Sequence, residues 1–208
     1  MSPATIRREV YAQAGRALKD LGFRKVAGRQ VFLQGIADGI EGALDLPAAS
    51  RREGGITVSL AVGFIATDVE RLIGEWLDQP SALRFTTLGN VGYVKPEHRW
   101  REVAFSDEQA VDEGVRQLMD SATADAMPFL AAHASLGGVA KVLEDGIFPG
   151  ARFAHERLPV LYALDGDAER AAAALSTIEA LAANENSAMT FRWIAYLDAF
   201  RRTFPDVK

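Results

Sequence analysis

The sequence contains no cysteine. That absence excludes a disulfide framework, a thiol nucleophile and any zinc site built on thiolates. It also fits a reducing compartment. Histidine is scarce, with only His98, His133 and His155. His155-Glu156 lacks the second histidine that a helical zinc-protease motif places four residues on. No Gly-x-Ser-x-Gly elbow occurs, and no glycine-rich phosphate loop leads into Lys-Ser or Lys-Thr. No apolar run reaches membrane-spanning length, and the first nine residues lack the apolar core of a signal peptide. Positive charge is not in excess. The 23 Lys and Arg against 28 Asp and Glu give a net charge of −5, which disfavours a nucleic-acid binder. These absences lead to the expectation of a cytoplasmic protein with no catalytic residue, cofactor or metal, and with neither membrane nor nucleic acid as its partner.

What is present reads as a globular chain mixing helices and strands. Ile56, Val58, Leu60, Val62 and Phe64 alternate with Thr57, Ser59, Ala61 and Gly63. Strict alternation over nine residues predicts one strand with an apolar face and a small-residue face. That strand is expected at the centre of an antiparallel sheet. Residues 4–21 carry Ile6, Val10, Ala14, Ala17, Leu18 and Leu21 at helical spacing, with Gly22 placed for a left-handed cap. Further strands are expected from Phe23, over Gln30–Gln34, and from Ile40 to Leu46 before Pro47. Another is expected over Arg84–Gly89, and an extended piece around Trp100, Val103 and Phe105.

Asp68 is expected to cap a helix reaching Trp76, with Pro80 ending that region. Leu88-Gly89-Asn90-Val91-Gly92 reads as a turn with left-handed residues. Ser106 and Gln109 have capping-box spacing, and the helix they open is expected to resume through Phe129 and Leu130 despite Pro128. A short helix covers Leu136–Leu143. Helices over Phe153–Leu164, Ala168–Ala183 and Ala188–Phe204 follow, with a polar break at Asn184–Ser187. The Asp165-Gly166-Asp167 junction is similar to the turn of a tetratricopeptide-type hairpin, but only one unit is visible and an array needs about three. The expected fold class is α+β: an antiparallel sheet of about five or six strands packed with helices, followed by an all-helical segment. The expected domains are residues 1–148 and 149–208.

In residues 4–145 the order of features resembles a bacterial domain family of unknown function. The resemblance rests on the helix ending Leu21-Gly22-Phe23-Arg24-Lys25, on Val31-Phe32-Leu33, and on the Ile56–Gly63 strand. Arg84-Phe85-Thr86-Thr87-Leu88-Gly89, His98-Arg99-Trp100 and Pro128-Phe129-Leu130 complete it. Some members of that family lie near toxin-immunity loci. The resemblance implies an α+β fold with an antiparallel sheet, and it transfers no catalytic residue.

The residues with most chemical interest are Lys95, His98, Arg99, Trp100 and Arg101, because basic and aromatic groups together can hold an anion or form a protein hot spot. Arg84 and Thr86 join them if their strand pairs with the Trp100 segment. Against this stands a plain alternative, in which Trp100 is core and its charged neighbours point outward. Thr57 and Ser59 mark the small-residue face. Two functions compete. One is a non-catalytic protein-binding module, immunity-like in character. The other is a small-ligand receptor or enzyme using a cleft between sheet and helices. A homodimer through an edge strand or the C-terminal helices is compatible with either.

Overall fold

Ile6, Val10, Ala14 and Leu18 form one stripe of a helix. In the computed structural model of the chain all four are fully buried on α1 (Pro3–Asp20). The structure describes residues 2–79, 84–149, 154–184 and 188–207. The Ser2 hydroxyl accepts the Thr5 amide, and Pro3 occupies the first turn, where an N–H has no intrahelical partner. The other end of α1 closes in a Schellman motif. Phe23 N–H bonds Leu18 O at 3.0 Å, and Gly22 N–H bonds Lys19 O at 2.9 Å, with Gly22 at φ +89°. The left-handed backbone there is what requires glycine.

Gly15, also in α1, is different. A Cβ built on it would meet only the Phe32 ring, at 3.7 Å, an ordinary contact. Gly15→Ala should therefore stabilise the protein by about 0.5–1 kcal/mol, since glycine is a poor helix former. Thermal unfolding of the two proteins measures this directly.

The chain divides into two compact units: Met1–Phe64 with Leu88–Ala132, and Ile65–Thr87 with His133–Lys208. In this division residues 65–87 group with the C-terminal helices.

The fold is α+β, with antiparallel strand pairing and a helical C-terminal segment. Among the described residues the strands form two sheets. The larger has the order β1-β2-β3-β6-β7, from β1 (Arg24–Lys25), β2 (Val31–Ala37), β3 (Ile40–Asp45), β6 (Ala61–Ala66) and β7 (Thr87–Asn90). The smaller has the order β4-β5-β8, from β4 (Ala48–Ser50), β5 (Ile56–Val58) and β8 (Val103–Phe105).

The single strand expected over Ile56–Phe64 is therefore two strands in two sheets. The break at Ser59 and Leu60 has a non-local cause. Ser59 N–H donates to Pro47 O at 3.1 Å, and Leu60 O accepts from Val91 N–H at 2.9 Å. The first bond carries the β4–β5 register, in which Ala48 faces Val58, one step further, and the second is to Val91, so the backbone changes partner between Ser59 and Leu60. The small-residue face is not open either. Ser59 is 5% exposed and Ala61 8%, and Gly63 is buried with them.

Other expectations shift by smaller amounts. The strand expected from Arg84 begins at Thr87, leaving Arg84 and Phe85 irregular. Trp100 lies outside any strand, so the proposed pairing of its segment with Arg84 does not form. The helix α2 (Thr67–Trp76) starts before Asp68, which sits in its first turn and favours the helix dipole instead of capping it. At α3 (Gln109–Ser121) Ser106 does not close a capping box. Its hydroxyl donates to Asp107, whose carboxylate accepts the Ala110 amide. The helix does continue past Pro128, through a π turn at Ala122–Ala126 into α4 (Met127–Ala132). That wider turn lies just ahead of the proline, which supplies no N–H to the preceding turn.

The second unit contains α2, α5 (Leu136–Glu144), α6 (Ala154–Leu164), α7 (Ala168–Asn184) and α8 (Ala188–Thr203). Asp167 caps α7 through the Arg170 amide, as its sequence position suggests. Helix α6 packs on α5, α7 and α2, and α8 packs on α7 and α2. Trp76 meets Tyr196, Phe200 and Phe204 edge-on at 5.4, 6.0 and 6.3 Å between ring centroids. Two ion pairs flank this cluster. Arg157 reaches Glu70 with Nε and Nη2, and Arg192 reaches Glu156 in the same two-pronged way. These contacts explain why residues 65–87 join the C-terminal helices. Pro80, Phe153 and the Glu185–Ser187 part of the expected polar break lie outside the described residues, as does Gly150 at the expected domain boundary. Among the described residues no single helix is long and apolar enough to cross a membrane.

Candidate binding groove

The first unit places Trp100 in a loop between a short 3-10 turn (Val91–Val94) and β8. Asn90, 2% exposed, fixes that loop. Its Oδ1 accepts the amides of Gly92 and Arg101, both at 2.9 Å, and its Nδ2 donates to Arg101 O at 2.7 Å. One side chain thus ties both ends of the segment 92–101. Gly92 allows the ends to close. A Cβ there would lie 2.0 Å from the Arg99 carbonyl oxygen, and Arg99 N–H donates to Gly92 O at 3.3 Å.

His98 completes the loop with a left-handed backbone, φ +45°. Such a conformation in a non-glycine residue costs on the order of 1–3 kcal/mol and persists only where neighbours impose it. Here the His98 amide bonds Lys95 O at 3.0 Å, and its Nδ1 lies 2.9 Å from Tyr93 O. The Tyr93 and His98 rings are 5.2 Å apart. Lys95 anchors the loop to the π turn through an ion pair with Asp125 at 2.9 Å.

On this pinned loop the Trp100 side chain is 56% exposed. The alternative in which it is a core residue does not hold. Beside it runs a groove of about 570 Å³. Buried Leu60, Val91 and Leu118 and half-buried Val103 give it apolar surface. One wall is the chain from Arg99 to Glu102, and the other is Gln117, Asp120 and Ser121 of α3. Arg116 on α3 bridges Glu113 and Asp120 at 2.6 and 2.7 Å. Hydrogen bonds from Arg116 and Gln117 hold the Glu113 carboxyl, on the same helix, down at about 2. The groove is amphipathic, with an apolar interior and both signs of charge at its edge.

Of the residues singled out from sequence, His98, Arg99, Trp100 and Arg101 come together here. His98 and Arg99 are exposed, and half-buried Arg101 pairs with Glu97 at 3.6 Å. Half-buried Thr57 is in β5 opposite Ala49 and Ala104, and Ser59, 5% exposed, sits at the strand break; neither lines this groove. Arg84 and Thr86 belong to the second unit. Thr86 is 3% exposed, and its hydroxyl accepts the Ala66 amide at 2.8 Å, a structural bond. Asn90 and the α3 residues were missed. The Leu88–Gly92 stretch signals a turn, but Asn90 has an ordinary extended backbone (φ −62°) and acts through its side chain. Among the described residues no His, Asp or Glu cluster has the makings of a metal site.

No family model, no curated protein and no solved structure matches the chain.

Proposed function

We propose that the protein is a non-catalytic protein-binding module, immunity-like in character, whose partner seats on Trp100 and the groove beside it. The observation that carries this reading is the half-exposed indole held on a loop that is hydrogen-bonded at both ends. Burying the tryptophan would be the cheaper arrangement for a monomer, whereas an exposed aromatic between two arginines on an ordered loop has the composition of a binding hot spot. Because the loop is already ordered, little conformational entropy is lost on association. The family resemblance over residues 4–145, some members of which lie near toxin-immunity loci, fits the same reading. A cytoplasmic setting and a protein partner belong to it.

The test is site-specific photocrosslinking in the native host. A benzophenone side chain is placed at position 100 or 117, and at exposed Thr177 as a control. A discrete protein adduct from 100 and 117, absent from 177, is the expected result. Adducts of equal yield from all three positions, or from none, would sink the proposal.

A further inference from the structure

We infer that a second groove in the first unit, between the C-terminal half of α1 and β1, binds a small organic anion with an apolar or aromatic body. The groove measures about 630 Å³, within the range of about 300–1,000 Å³ typical of small-molecule sites. Arg16 and Lys19 line it from the helix, and Arg24 and Lys25 from the strand, while no Asp or Glu does. Arg24 is paired with Glu41. Arg16, Lys19 and Lys25 make no ion pair among the described residues. The convergence is not an average property of the chain. Residues 1–29 hold seven of its 23 Lys and Arg but only two of its 28 Asp and Glu. Lys19 alone is accounted for by the negative end of the helix dipole. On the facing strand Arg24 is held by Glu41 and Lys25 Nζ lies 6.0 Å from the Phe32 ring centroid, which leaves Arg16, Lys19 and Lys25 as like charges that repel one another and favour an anion between them.

Gly15 is the second, independent observation. It lines the same groove in the interior of a helix, where glycine is costly, and nothing in the packing forbids a side chain. Without a Cβ, Gly15 leaves room in the groove, whose apolar lining comes from Tyr11, Ala12 and Phe23. The outcome is an apolar base under a ring of positive charge. That arrangement suits a phosphate ester or carboxylate attached to a flat apolar group. A nucleic-acid strand fits less well, because beyond residue 29 the chain carries 16 Lys and Arg against 26 Asp and Glu.

The experiment is an amide NMR titration of the full chain. The probes are phenyl phosphate, phenylacetate, inorganic phosphate and benzyl alcohol. One or both organic anions should shift the amides of residues 11–25 saturably, at concentrations about 10-fold or more below those needed for inorganic phosphate or benzyl alcohol. The tighter of the two identifies the anionic group. The charge-reversed double variant Lys19→Glu/Lys25→Glu should weaken this binding at least about 10-fold. Gly15→Leu, which fills the groove, should abolish binding while melting no lower than the wild type. The inference is overturned if neither organic anion shifts these amides, if benzyl alcohol binds as well, or if both variants bind normally. Tight binding of a single-stranded oligonucleotide with the organic anions inactive would overturn it in favour of nucleic-acid recognition.

Discussion

Replacing Arg157 with alanine is expected to destabilise the second unit by about 3–5 kcal/mol, the cost of breaking a buried ion pair by removing one partner. The Arg157 and Glu70 side chains are 9% and 8% exposed, and two bonds of 2.7 and 2.9 Å join them. Without the guanidinium, the Glu70 carboxylate stays in an apolar setting with its charge uncompensated. The loss is thus larger than the net worth of the pair. Urea unfolding of the variant measures it. A double variant, Glu70→Leu/Arg157→Leu, separates the two quantities, and should recover most of the stability because no buried charge is stranded. Were it as unstable as Arg157→Ala, the pair itself, and not the stranded carboxylate, would account for the loss. Breaking the neighbouring pair at Glu156 should cost less, because its partner Arg192 is 21% exposed and water can reach it.

The second large effect is expected at Asn90. Asn90→Ala removes three hydrogen bonds and leaves the Gly92 amide and both backbone groups of Arg101 without this partner. A buried polar group left unsatisfied costs about 1–3 kcal/mol, and the loop should relax toward solvent to avoid it. Two readouts then move together. Stability falls by about that amount, and amide exchange of residues 92–101 accelerates while the core helix α1 stays protected. Faster exchange in α1 as well would mean that Asn90 supports the whole unit and not this loop. Asn90→Asp tests the geometry more finely, since its carboxylate still accepts from both amides but cannot donate to Arg101 O. Because its second oxygen would face the Arg101 carbonyl where Nδ2 now donates at 2.7 Å, it should also loosen the loop, at the Arg101 end first.

Much of the scaffold was legible in the sequence because its signals are local. The burial of Ile6, Val10, Ala14 and Leu18 follows from spacing, and the Gly22 cap follows from one residue type. The chain's course from β5 to β6 was not legible. Alternation runs unbroken from Ile56 to Phe64, yet the chain passes from one sheet to the other at Ser59 and Leu60, where its backbone partner changes from Pro47 to Val91. No pattern within the nine residues encodes partners so far along the chain. The grouping of residues 65–87 with the C-terminal helices was hidden for the same reason, since it depends on Trp76 meeting rings more than a hundred residues later.

The site was half visible. His98, Arg99, Trp100 and Arg101 stand out by composition, but alternation alone would bury the tryptophan as readily as expose it. What decides its position is the Asn90 side chain bridging to Arg101, together with the close approach of Gly92 to Arg99. A glycine-flanked asparagine ten residues ahead of a basic-aromatic cluster signals only a turn. Thr57, Ser59 and Thr86 were candidates because they are small and polar; they lie apart from this groove, and Ser59 and Thr86 are buried.

The central claim is that Trp100 is exposed for binding and contributes little to folding. The measurement that tests it most directly compares Trp100→Ala with the wild type in affinity for the partner captured by crosslinking and in unfolding free energy. The account predicts an affinity loss of about 30-fold or more, the 2 kcal/mol expected of a hot spot, with stability changed by no more than about 0.5 kcal/mol. The reverse pattern, unchanged affinity with a loss of several kcal/mol in stability, would contradict it and make Trp100 a structural residue.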